Sequence, residues 1–134
     1  MNKIELYFKE LKNIYNCDIK FCEDKSFDYD LGKIPKVIQD LYKVISVADL
    51  PFGRIFSIKE ALEMSKVLPF KPNWFVFGED KYFSFWVCLY TPDLEGLSFT
   101  SWDHELESEI YEPAYKDVVS FLKDVEQEHK EYDI

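Results

Sequence analysis

Apolar side chains at Ile4, Tyr7, Phe8, Leu11, Ile14 and Tyr15 recur every three or four residues, which predicts an opening amphipathic helix. The stretch from Asn16 to Lys33 is charged and irregular, and Gly32 marks a turn. Val37, Ile38, Leu41, Tyr42 and Ile45 make the buried stripe of a second helix. Pro35 leads it from the first turn, where a missing N–H leaves no intrahelical bond unmade. LPFGRIF follows as a turn and a short strand. Ser57 then caps a third helix, SIKEALEMSKVL, with Glu60 three residues on at the capping-box spacing. Pro69 and Pro72 end that helix.

From Trp74 the pattern changes. NWFVFG and FSFWVCLY are dense in aromatic and β-branched residues, and they predict adjacent antiparallel strands. Between them Gly78 lets the chain turn and Asp80 hydrogen-bonds the turn amides. TPDLEG is a turn and LSFTSW a third strand. Ala114, Val118, Phe121, Leu122 and Val125 fall on one face of a closing helix. The sequence of elements predicts an α+β fold: N-terminal helices, an antiparallel β-sheet meander, and a C-terminal helix packed on the sheet. With no internal repeat, low-complexity tract or linker, residues 1–134 are expected to form one domain.

Composition adds bounds. Of 134 residues, 47% are hydrophobic and 18% aromatic, enough to build a core and unlike a disordered chain. No apolar run approaches the roughly 20 residues of a membrane span. The first fifteen residues lack the continuous apolar stretch of a signal peptide, which points to the cytoplasm. Cys17, Cys22 and Cys88 are odd in number, and CDIKFC is too widely spaced for a CxxC pair, so three reduced structural thiols are expected. The net charge of −10 is unevenly spread: residues 1–78 carry 12 Lys/Arg against 11 Asp/Glu, and residues 79–134 carry 4 against 15. An acidic second half repels nucleic acid and anionic lipid and attracts basic partners.

Candidate chemistry is sparse. No glycine-rich phosphate loop is present, and two histidines with three scattered cysteines offer no four-ligand metal site, so no cofactor is expected. Asp103, His104 and Glu105 stand together, the arrangement a hydrolase would need for general acid–base work. Neighbours on a strand point to opposite faces, however, and no nucleophile accompanies them, so a surface turn is the better reading and no enzyme is expected. Glu105, Glu107 and Glu109 alternate; if extended they project from one face about 7 Å apart, close to the spacing of phosphates along a nucleic-acid strand. The aromatics Phe75, Phe77, Phe83, Phe85, Trp86 and Tyr90 would suit base stacking only with cations between them. Their neighbours are Glu79, Asp80 and a single Lys81, so they are expected to pack a core.

Ile34–Pro35, Phe77–Gly78–Glu79–Asp80, Trp102–Asp103–His104–Glu105 and Ser120–Phe121–Leu122 stand in an order that resembles the SMI1/KNR4 domain of the SUKH superfamily. The likeness spreads over about residues 33 to 125, with no single diagnostic motif. It implies a non-enzymatic binding protein. Bacterial members of that family are often immunity proteins that neutralise a toxin from a neighbouring gene, frequently a nuclease. Fungal members are regulatory. The expectation is therefore an immunity protein that masks a basic cognate toxin, with Glu79, Asp103, Glu105, Glu107 and Glu109 as the contacting surface. The alternative is a regulatory scaffold or small-ligand-binding module of the same fold.

Overall fold

The structure is a computed structural model, described for residues 2–22, 29–67, 73–81, 84–90, 96–103 and 115–132. Its elements run α1 (Lys3–Tyr15), β1 (Asp18–Phe21), a 3₁₀ turn (Tyr29–Lys33), α2 (Lys36–Val44), β2 (Ile45–Leu50), β3 (Gly53–Ile55), α3 (Ile58–Met64), β4 (Trp74–Asp80), β5 (Ser84–Leu89), β6 (Phe99–Asp103) and α4 (Val118–Tyr132). The strands form one antiparallel sheet in chain order, β1 to β6. The fold is α+β, as the pattern predicts, and the first and last helices pack on the sheet.

Local chemistry sets the helix ends. The Asn2 side chain accepts the Glu5 N–H at the start of α1, and Asn16 closes it in the left-handed conformation (φ 51°), returning its N–H to the Lys12 carbonyl. Asparagine tolerates that conformation better than most residues. Ser57 accepts the Glu60 N–H at the start of α3, as its spacing predicts. The second helix is shorter than its apolar stripe: Ile45 begins β2, and Val37 is exposed. The segment expected to be irregular contains β1, whose four residues bury only Ile19 fully and so give too brief an alternation to read.

The β4–β5 hairpin forms, and its turn is displaced from the expected place. Gly78 lies inside β4, paired with Trp86 beside a bulge at Val76–Gly78, and the strand runs on through Asp80. Gly78 is therefore no turn residue. A Cβ there would stand 2.5 Å from the Arg54 carbonyl oxygen and 2.5 Å from Trp86 Cε3. Gly53 on β3 meets the same indole and has φ +153°. With no Cβ at either glycine, the Trp86 ring can lie against both β3 and β4. Phe77 and Phe121 pack on that ring at 6.2 and 6.1 Å between centroids, and Phe52 at 6.3 Å, so α4 is docked through an aromatic cluster. The expected core role holds for Phe75, Phe77 and Trp86, which are fully buried, whereas Phe85 is half-buried and Tyr90 is exposed. Phe83 lies outside the described residues. Cys88 is buried among them, and burial pushes its thiol up, which makes it inert.

Two further contacts fix the frame. Beyond the reach of β3, the Val76 N–H donates to Ser65 Oγ at 2.7 Å, so the end of α3 satisfies a donor that the sheet leaves open. Across α1 and α4, the Glu126 carboxylate accepts from Tyr15 Oη at 2.7 Å and Tyr7 Oη at 3.3 Å. Lys130 approaches it at 3.5 Å. Burial and then this carboxylate push the Tyr15 hydroxyl up to about 12. A group raised on folding favours the native state below its unfolded value, about 10 for tyrosine, and that contribution is lost as pH rises through the folded value. Glu126→Ala is expected to cost about 1 kcal/mol, the net worth of hydrogen bonds to one buried and one half-buried hydroxyl. It should also lower the Tyr15 pKa, which NMR titration of the ring would report; an unchanged titration would mean that Glu126 does not hold it.

Candidate acidic interaction site

The sheet end that follows the β4–β5 turn gathers carboxylates. Asp80 Oδ1 accepts the Ser84 N–H at 2.9 Å, which ties the end of one strand to the start of the next. Ser84 is paired with Asp103, the last residue of β6. Partners directly opposite in an antiparallel ladder share a face, and so do residues two apart. Asp80, Ser84 and Trp86 therefore stand on the face that α4 covers.

The helix is set by Asp117, which precedes it. Its carboxylate accepts the Ser120 N–H at 2.8 Å and the Ser120 hydroxyl at 3.0 Å, and it meets Lys3 of α1 at 3.5 Å. Burial alone would raise this carboxyl; the Ser120 donors and the Lys3 ammonium outweigh it and hold it below its ordinary value. With the start capped and Phe121 anchored in the aromatic cluster, the next turns carry Asp124 and Glu128 over the sheet end. The result is a groove of about 260 Å³ between α4 and the sheet. Asp80, Asp124 and Glu128 line it with Ser84, Thr100, Ser101 and Tyr115, above a floor of Phe121 and Val125. Tyr115 is fixed by paired backbone hydrogen bonds with Phe99, and its hydroxyl bonds Asp124; burial and that carboxylate push it up to about 12.

Asp124 and Glu128 are exposed on the helix flank. Burial, then the Asp124 and Asp80 charges, raise the Glu128 carboxyl above its ordinary value. Such a group stabilises the fold when protonated, below its unfolded value near ~4.3; that help is lost as pH rises through the folded value. At neutral pH the ionised Glu128 therefore works against folding. Glu128→Gln is expected to raise the melting temperature at pH 7, with the gain vanishing near about pH 3, where wild-type Glu128 is protonated too. Equal or lower stability of the variant at pH 7 would mean that Glu128 is not held up by its surroundings.

The structure sorts the residues that the sequence suggested. Asp80 and the backbone of Asp103 stand together through Ser84. Glu79, one residue from Asp80, is on the opposite face, paired with Phe85. Its carboxylate accepts from Arg54 Nε at 2.9 Å, and the same guanidinium forks onto Glu60 at 3.0 and 3.3 Å. Glu79 thus belongs to a mixed-charge network that joins β3, β4 and α3, away from the groove. Glu105, Glu107 and Glu109, with His104, lie outside the described residues. Asp124 and Glu128 were missed by the sequence reading. The available signal was a like-charged pair at i,i+4, unrelieved by a cation, on the flank of the Phe121–Val125 stripe.

Among the described residues no group of three or more His, Cys, Asp or Glu side chains is arranged to hold a metal ion, and no helix is long and apolar enough to cross a membrane. The groove lining combines three carboxylates with the apolar Phe121 and Val125, the mixture that a lysine or arginine side chain, apolar in its stem and charged at its head, can meet. No protein-family model, curated protein or solved structure matches the chain.

Proposed function

We propose that this chain is a cytoplasmic, non-enzymatic immunity protein of the SMI1/KNR4 family. It binds and neutralises a cognate basic toxin, of the nuclease class, through an acidic surface. The observation that carries the reading is the gathering of Asp80, Asp124 and Glu128 in one groove, beside the strand end that leads through Asp103 into Glu105, Glu107 and Glu109. All of these residues belong to the half of the chain with 15 acidic residues against 4 lysines. A nuclease holds phosphates with Lys and Arg, so a surface of carboxylates can occupy its substrate groove. Long-range attraction also speeds capture, which matters when the toxin must be stopped before it cuts. On this reading a cation of the partner would favour the ionised form of Glu128, whose carboxyl burial and the Asp124 and Asp80 charges hold up.

The test is functional. The C-terminal domain encoded by the adjoining gene is expressed in bacterial cells with and without this protein. The proposal expects growth arrest that co-expression lifts; arrest that persists despite soluble, folded protein would overturn it.

A further inference from the structure

We draw no further inference here: the strongest candidate, the cavity of about 450 Å³ where the first turns of α1, α2 and α4 meet beside Lys3 and Lys116, is built on helix N-termini, has Asp40 and Asp117 in its lining with Lys3 already held by Asp117, and holds nothing that points to a ligand.

Discussion

Replacing Trp86 by alanine is expected to cost about 3–5 kcal/mol, the range for deleting a large buried aromatic. Trp86 has no exposed surface, and its ring touches β3, β4 and α4 together, through Gly53, Gly78 and Phe121. A domain of this size has roughly 5–15 kcal/mol in hand, so the variant should unfold at a far lower urea concentration and lose α4 docking with it. Gly78→Ala attacks the same packing from below. Its new Cβ would meet a backbone oxygen as well as the indole, so a cost of about 1–3 kcal/mol is expected. The two losses should not add: without the indole, only the Arg54 carbonyl resists the methyl. Urea unfolding of the single and double variants would measure this. Full additivity would mean that the glycine and the indole are not in contact. Should Trp86→Ala fail to fold, Trp86→Phe with Gly78→Ala keeps the cycle measurable.

Reversing Asp124 and Glu128 to lysine is expected to weaken toxin binding on the order of 100-fold at low salt, about 3 kcal/mol. Glu128→Gln alone, which keeps the Asp124 bond to the Tyr115 hydroxyl, should weaken binding less but leave the domain as stable or more stable, because burial and the Asp124 and Asp80 charges hold the Glu128 carboxyl up. These opposite signs separate an interaction site from a structural one. Glu10→Lys, at an exposed position of α1 whose neighbours on α4 are Lys123, Glu126, Gln127 and Lys130 and not the groove carboxylates, serves as the control and should leave affinity within about twofold. Binding unaffected by the double reversal would remove the groove from the interface.

Much of the frame was legible because it rests on periodicity. The stripes of α1 and α4, the Ser57 cap and the aromatic strands each follow from residues close in sequence. The site was less so. Glu79 and Asp80 are neighbours in the chain, yet strand alternation sends one to Arg54 and the other to α4. Only the register of β4 decides which carboxylate joins the groove, and that register depends on a bulge between Val76 and Gly78 that no local pattern announces. Glycine commonly serves in turns, but the reason for Gly78 is a tertiary one, the indole of a residue eight positions on. Asp124 and Glu128 resemble any solvated helix flank until α4 is seen lying over the sheet end.

The central claim is that an acidic surface captures a basic toxin. Calorimetric titration of this protein with the C-terminal domain from the adjoining gene, at about 50 mM and about 500 mM salt, tests it most directly, since the screening length falls severalfold between them. The account predicts tight binding at low salt that weakens steeply at high salt. Absence of binding at both, or tight binding indifferent to salt, would contradict it.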